Sequence, residues 1–451
     1  MNMDRPSRPS PAGGDGGNDP IGIEGKVAAE ILLRGEAVRP WAMDGGAPRA
    51  VAVPRTADEA ADVLGWANEL GLTVAVAGAG TRVAGSGLPS LPDLVVTALG
   101  IADLVHYEPA DLTFSAGAGM TGSALAETTG RNGQTLPLNP PGWAEATLGG
   151  LFSRGEAGGS QEMYGRVRDL ALGFTLVTGD GKVLRVGGQV VKNVAGFDLV
   201  RLAVGGRGSL GLLTGVSARL FPLPEQEAGV WVDFGSDQEL LECGEVLRDV
   251  PFPLAGAEAR WSWSGGGGGV FLRLRGNREP VEEMCRVILE RLGARITRRM
   301  EEAELASRIL ESEKVDARGG GGTSPVWLRL TGLPAELAGT LSLARSLEVD
   351  GELTASPLVG EVRVLTSDSP GLEDRLRSVA AQLWAAGGAV EVISGPPWLH
   401  AAATRSDVGA QRLVTALQDL FDPGRALLSG VRHEIARGAP DPEVPEAVER
   451  R

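Results

Sequence analysis

The stretch Val76-Ala77-Gly78-Ala79-Gly80-Thr81-Arg82-Val83-Ala84-Gly85-Ser86-Gly87 runs from a short apolar segment straight into closely spaced glycines. Glycines lack a Cβ, so such a segment lets consecutive backbone N–H groups close on a phosphate, and the chemistry on offer is pyrophosphate binding. A Rossmann loop is the obvious rival, but G-x-G-x-x-G needs glycine where Val83 stands. It also needs a helix directly afterwards, which Gly85-Ser86-Gly87-Leu88-Pro89 forbids. Glycine turns after strands are common, so the loop alone is equally compatible with an ordinary turn. Two later stretches raise its specificity. One is Ala146-Thr147-Leu148-Gly149-Gly150, preceded by Leu136-Pro137-Leu138 and the turn Pro140-Pro141-Gly142. The other is Val190-Val191-Lys192-Asn193-Val194-Ala195-Gly196-Phe197-Asp198-Leu199, leading into Gly205-Gly206-Arg207-Gly208-Ser209-Leu210-Gly211.

Other reactive side chains are sparse. The only cysteines are Cys243 and Cys285, with no C-x-x-C pair and no Cys/His cluster. That excludes a disulfide scaffold, a thiolate zinc site and an iron–sulfur cluster held by this chain alone, and it reads as two inert buried thiols. No metal site is expected. The histidines are His106, His400 and His433. His106 sits in an apolar, strand-like run and reads as structural; Pro396-Pro397-Trp398-Leu399 suggests a turn that packs His400 on the core or leaves it at the surface. Arg260, Arg273 and Arg275 could pair with a carboxylate, but alternate arginines on a strand read first as a solvated face. Lys192-Asn193 is balanced between orienting groups at a ligand and satisfying backbone groups.

Thr56 with Glu59 three residues on forms a capping-box pattern, and Ala60, Val63, Leu64, Ala67 and Leu70 follow at helical spacing. A helix over 57–70 ending at Gly71 is predicted, then a buried strand over 73–77 that enters the glycine loop. Short strands are predicted near 94–97, 103–106 and 112–116, with a helix near 122–131. After Pro222-Leu223-Pro224 the texture changes. Helices near 238–248, 279–293, 334–346 and 371–386 alternate with strands near 229–234, 257–263, 270–275, 326–331, 352–366 and 389–394, the pattern of an antiparallel sheet covered by helices on one face. The glycine runs Gly265–Gly269 and Gly319–Gly322 read as loops or hairpin tips.

The 451 residues exceed what one core usually supports, so two domains are expected. The 43 basic and 58 acidic residues give a formal charge of −15, which repels nucleic acid and anionic lipid unless a local basic patch overrides it, and the sequence shows no such patch. No apolar run approaches the ~20 residues of a membrane span. The polar start to about Asp19 lacks the apolar core of a secretory signal, and a cytoplasmic location is expected.

The ordered motifs identify a family. A G-x-G-T loop is followed by Tyr107-Glu108-Pro109-Ala110-Asp111, by Gly133 to Pro137, by A-T-x-G-G at Ala146 to Gly150, and by R-D-x-x-L-G at Arg168 to Gly173. Asp180-Gly181, V-V-K-N-V-A-G-F-D-L and Leu210-Gly211 complete the order. The chain resembles flavoproteins of the vanillyl-alcohol-oxidase (PCMH) type, most closely the smaller FAD-binding subunit of bacterial glycolate oxidase. Phe421-Asp422-Pro423-Gly424-Arg425 resembles a stretch near the ends of such proteins.

The resemblance implies an α+β fold: a two-subdomain FAD-binding domain over 21–222, then an α+β cap with an antiparallel sheet and a return segment over 223–435. Disordered tails at 1–20 and 436–451 flank them. It implies FAD contacts at Ala77, Gly78, Ala79, Gly80, Thr81, Arg82, Pro137, Thr147, Gly149, Gly150, Ser153, Gly208, Gly211 and Leu213. No histidine or cysteine lies in the glycine loops, so noncovalent FAD is expected. Arg207 stands where relatives carry an acid, and Phe152 to Gly159 departs from their smaller, more apolar residues. The implied partners are a larger catalytic FAD subunit and an iron–sulfur subunit, through which the complex could be membrane-associated. A stand-alone FAD oxidoreductase and a flavin-free assembly subunit are the alternatives. Catalytic residues are not assigned.

Overall fold

The computed structural model describes residues 29–43, 46–188, 198–262, 267–293, 297–313, 325–404 and 408–428. Both tails, the Lys192-Asn193 segment, Gly319–Gly322 and His433 lie outside the described residues.

The first half is built on two small sheets. Helix Ala57–Glu69 starts where the sequence places it: the Thr56 hydroxyl accepts from the Glu59 N–H at 3.0 Å. The Glu59 carboxylate reaches back one residue further, to the Arg55 N–H at 2.8 Å, so two orphan donors of the first turn are satisfied. Ala60, Val63, Leu64 and Ala67 are its buried stripe. Beside it, strands Ala50–Ala52, Leu94–Thr97 and Val74–Ala77 pair in parallel, with Leu32–Leu33 antiparallel on the edge. Leu94–Thr97 is buried at every position, which is why this strand reads as a continuous apolar run without alternation. The second sheet has five antiparallel strands in the order Leu104–Glu108, Thr113–Gly117, Leu212–Arg219, Ala171–Val177, Val183–Gly187. One apolar core joins both sheets. His106 lies on the edge strand and is exposed, as is Val105, so it is a surface residue and not an internal structural one.

The cap is an eight-stranded antiparallel sheet ordered Thr297–Arg299, Gln226–Phe234, Gly268–Gly276, Gly256–Ser262, Gly351–Ser356, Glu361–Thr366, Val326–Thr331, Ala389–Ser394. The single strand predicted over 352–366 is a hairpin, turned at Pro357–Gly360 with Gly360 at φ +71°. Strict alternation divides the sheet. Val230, Val232, Ala259, Leu272, Leu328, Leu353, Val364 and Val392 face helices Asp237–Arg248, Arg278–Leu292, Leu337–Arg345 and Leu372–Ala385 in one large core. Trp231 and Phe271 point the other way, where Met300 and Leu305 of the helix Glu302–Glu313 region cover them. The rest of that face turns toward the first half of the chain, through helix Gln161–Tyr164 packed on strand Gly256–Ser262.

Two expectations for the cap need correction. Arg273 and Arg275 are not a solvated row. Their side chains are about 11% and 10% exposed and both pair with Glu227, because the first half of the chain covers the polar side of the sheet. Gly268 and Gly269 are strand residues, not hairpin tip: a Cβ on Gly269 would overlap the Trp231 indole on the neighbouring strand. Cys243 and Cys285 are both buried, and neither is in a disulfide.

After the cap the chain returns. Helices Pro397–Ala402 and Val408–Phe421 lead to Ala426–Leu428, which adds in parallel to the strand of the glycine loop. The Val74 N–H donates to Ala426 O and the Leu428 N–H donates to Val74 O, both at 2.7 Å. The first half is therefore completed by residues from beyond the cap.

Candidate functional site

Strand Val74–Ala77 delivers the chain into the Gly78–Arg82 loop, and the loop is fixed from three sides. Gly78 O accepts from Thr97 Oγ1 at 2.7 Å and from Trp41 Nε1 at 3.1 Å. On its other side the Gly78 Cα rests against Thr147, so that a Cβ would overlap Thr147 Oγ1. Gly80 has φ +79° and no room for a Cβ beneath the Pro40 carbonyl. Among the described residues, no protein acceptor takes the N–H groups of Ala79, Gly80, Thr81 or Arg82. Four consecutive unused donors in a half-buried loop make a nest suited to an anion.

Thr147 is 1% exposed and caps helix Leu148–Arg154 by accepting from the Gly150 N–H at 3.2 Å. The N–H groups of Leu148 and Gly149 already donate to Met120 O and Ala118 O. This helix start is thus committed to packing, and the anion donors are those of the loop. Gly208 lies against Val76, and Gly211, at φ +140°, against Val177 O, with no space for a Cβ at either. The glycines let three backbone segments close together. The space between them, counting the part open to solvent, amounts to about 1220 Å3.

Thirteen of the fourteen residues named from sequence line this cavity: Ala77 to Arg82, Thr147, Gly149, Gly150, Ser153, Gly208, Gly211 and Leu213. Pro137 does not. It is buried beside Leu138, and Pro140 and Pro141 from the same segment line the cavity instead. Sequence reasoning also missed Met43, Arg154, Glu156, Ile393 and Leu428. Only Arg154 and Glu156 left a signal, as polar residues where apolar ones were looked for. The rest come from distant segments. The apolar lining, including Val76, Leu88, Leu212 and Ile393, offers flat rings a dry bed beside the polar nest. Such a mixed site fits FAD, which carries both a diphosphate and an isoalloxazine.

At the cap end of the cavity, Glu156 is held between arginines, 2.8 Å from Arg154 and 3.9 Å from Arg82. Burial works to raise its carboxyl, but Arg154, Arg82 and Arg329 outweigh burial and hold it well below the usual range. Arg82 also donates to Pro141 O at 2.6 Å and lies over the Trp327 ring, tying the loop to the cap sheet. Arg207, at φ +48°, pairs with Glu391 of the cap; burial, followed by the charge of Arg154, lowers it to about 10.

Two smaller cavities continue from this end onto the polar face of the cap sheet, sharing Pro141 with the first. They contain Trp327, Arg329, Glu361, Arg363 and Glu162. Burial raises the Glu162 carboxyl to about 8, and Ser356 Oγ donates to it at 2.5 Å.

His400 serves the cap and not the cofactor. Its Nε2–H donates to Gly85 O at 3.1 Å, and the Gly395 N–H donates to the same carbonyl at 2.9 Å. Gly85 and Gly87, both at positive φ, have no Cβ because Ser394 and the His400 ring occupy that space. The second half of the glycine loop is therefore a clamp on the cap. Burial lowers His400 from its ordinary 6.5 to about 4. The unfolded chain binds this proton more readily than the native one, so the contribution is present above pH 6.5 and lost as pH falls toward 4. The loss should reach about 3 kcal/mol. Urea midpoints at pH 7 and 4.5 check this: His400→Gln should show a flatter acid dependence than wild type, and identical slopes would refute the assignment.

Comparison with known proteins agrees with this geometry. Residues 48–187 match the family model described as FAD binding domain. The chain is 38% identical over 154 residues to glycolate oxidase subunit GlcE of Escherichia coli K12, covering 34% of this chain and 44% of that protein. It is 30% identical over 202 residues to a D-lactate dehydrogenase of Archaeoglobus fulgidus, covering 44% and 45%. It is also 30% identical over 178 residues to glycolate oxidase subunit GlcD of Bacillus subtilis, covering 40% and 38%. In each case the chain spans less than half the length of its relative. A solved alkyldihydroxyacetonephosphate synthase superposes with a TM-score of 0.63 at 12% identity, covering 86% of this chain and 76% of that one, and shows the shared fold. Residues 48–187 are accordingly an FAD binding domain, and FAD is the cofactor of this chain.

Proposed function

We propose that this chain is the FAD-carrying subunit of a glycolate (2-hydroxy acid) oxidase or dehydrogenase complex, holding FAD noncovalently and passing electrons to an iron–sulfur partner subunit. The observation that carries the reading is the set of unused N–H groups from Ala79 to Arg82 at the mouth of an apolar cavity. In this reading those amides and the Thr81 hydroxyl hold the diphosphate. Thr147, Gly149, Gly150 and Ser153 approach it from the second sheet, and Gly208, Gly211 and Leu213 line the adenosine end. Arg154 and Glu156 then lie toward the isoalloxazine. Bound FAD supplies a two-electron acceptor for oxidation of the alcohol. Among the described residues the cavity wall contains no histidine or cysteine, the usual points of covalent attachment. The similarity to a glycolate oxidase subunit supports the substrate class and the complex, and the scarcity of cysteine supports an external electron carrier. A cytoplasmic location, with membrane contact only through partners, goes with this reading. Among the described residues no helix is long and apolar enough to cross a membrane.

A stand-alone oxidoreductase acting on another alcohol or 2-hydroxy acid is the second reading. The cavities along Arg329, Arg363 and Glu162 favour it, because they offer substrate-sized space beside the flavin site. The test is to purify the chain alone, measure its flavin, precipitate it with acid, and offer glycolate and D-lactate anaerobically. Flavin released into the supernatant and no bleaching without partners support the subunit reading. Bleaching by the chain alone overturns it in favour of the second. A chain that stays flavin-free after gentle purification and added FAD would point to an assembly role.

A further inference from the structure

The chain carries a formal charge of −15, yet one groove on it is basic. It opens beside the flavin cavity, where helix Val167–Leu170 and the Val204–Arg207 turn meet the cap sheet, with about 630 Å3 between its walls. Five arginines and a single carboxylate, Glu391, provide its charged groups. We propose that this groove, formed by Arg154, Arg166, Arg168, Arg207 and Arg329, is a binding site for a small anion carrying two or more negative charges, either a dicarboxylate or a phosphate.

The arginines divide into two kinds. Arg154, Arg207 and Arg329 are 17–20% exposed in their side chains and fixed by Glu156 and Glu391 from neighbouring segments. They form a rigid floor in which three guanidiniums share two carboxylates, which leaves a net positive charge for an oxyanion to meet. Arg166 and Arg168 are exposed on the rim; the Arg166 backbone N–H donates to Asp169 at 3.2 Å, but among the described residues neither guanidinium has an ion-pair partner. The helix that carries them is anchored by Val167 and Leu170, each 1% exposed, so the rim cations are presented from a packed base. Five cations against Glu391 in the wall and Glu156 behind Arg154 leave this concave site net positive, a potential that the surrounding acidic surface cannot supply.

The groove is separate from the flavin nest but adjoins it. Arg154 and Arg207 line both, whereas Arg166, Arg168 and Arg329 line the groove and not the flavin cavity. An anion seated there lies next to the cofactor without occupying its site, and it should perturb the flavin spectrum. The Arg-Asp of the R-D-x-x-L-G motif, which the cofactor reading leaves without a task, supplies one rim cation.

The test uses the full chain saturated with FAD at low ionic strength. Oxalate and inorganic phosphate are titrated separately, by calorimetry and by the flavin difference spectrum. At least one should bind, with an affinity that falls tenfold or more in R166Q/R168Q while flavin content and melting temperature stay at wild-type values. The responding probe, planar or tetrahedral, identifies the source of the anion. R166K/R168K, which keeps the charges, should bind more tightly than R166Q/R168Q, and it guards against a folding defect. Absence of binding by both anions overturns the proposal, as does equal binding in wild type and R166Q/R168Q. Binding confined to FAD-stripped protein also overturns it, since the arginines would then belong to the diphosphate site.

Discussion

Gly78→Ala should lower FAD affinity by 100-fold or more, a change of about 2.7 kcal/mol, so that the protein purifies largely colourless. The backbone at Gly78 has no direction in which to yield. Its carbonyl is held by Thr97 Oγ1 and Trp41 Nε1, and its Cα rests against Thr147, which is itself buried and occupied in capping helix Leu148–Arg154. A methyl group forces either the loop or the cap to move. Moving the loop turns the Ala79–Arg82 amides off the diphosphate; moving Thr147 loses a cap of about 1 kcal/mol. Overpacking of this kind should cost about 1–3 kcal/mol of stability, leaving the cap core in place. Adding Thr147→Ala removes the overlapping hydroxyl and should restore part of the flavin, so the two changes should not be additive. Flavin titration of the single and double variants checks this, and wild-type affinity in Gly78→Ala would refute the loop assignment.

Asp422→Asn should destabilise the flavin half by about 2–4 kcal/mol and speed FAD release. Asp422 is 3% exposed. Its two carboxylate oxygens accept from the Ala426 and Leu427 N–H groups, both at 2.9 Å. These bonds bend the chain so that Leu428 reaches the cavity wall and Ala426–Leu428 pairs with Val74. Asparagine keeps one acceptor and turns an amide donor on the other N–H, leaving a buried donor unsatisfied. Urea unfolding and stopped-flow release of FAD are the measurements. Unchanged release would mean that the return segment does not support the cofactor site.

What was legible in the sequence follows from how locally each feature is encoded. The Thr56 cap, the helix behind it and the cap helices are written in contiguous residues, and they were placed within a few positions. The glycine loops that line the cavity were legible as well, because glycine at 78, 80, 208 and 211 is demanded by close backbone approach. That demand comes largely from neighbouring protein segments, so Gly80→Asp would strain the fold as much as it would repel a phosphate. Pro137 lies off the cavity, and the residues of its segment that reach it are three and four positions further on. Arg273 and Arg275 show the larger gap. Alternation marked their face as polar, but it carries no information on whether water or another domain lies against it. Ile393 and Leu428 enter the site from the far end of the chain, and no local pattern announces such a contact.

The strand pairing between Val74 and Ala426–Leu428 also sets an order of events. The sheet behind the glycine loop gains its last neighbour only when residues beyond the whole cap have been made, more than 350 positions after Val74. During synthesis the first half must wait with this edge uncovered, while the cap, whose strands pair mostly with near neighbours, can form first. Cofactor loading is thus expected late, after the returning segment docks. Ribosome-bound chains released before residue 420 should fold a cap but retain no flavin.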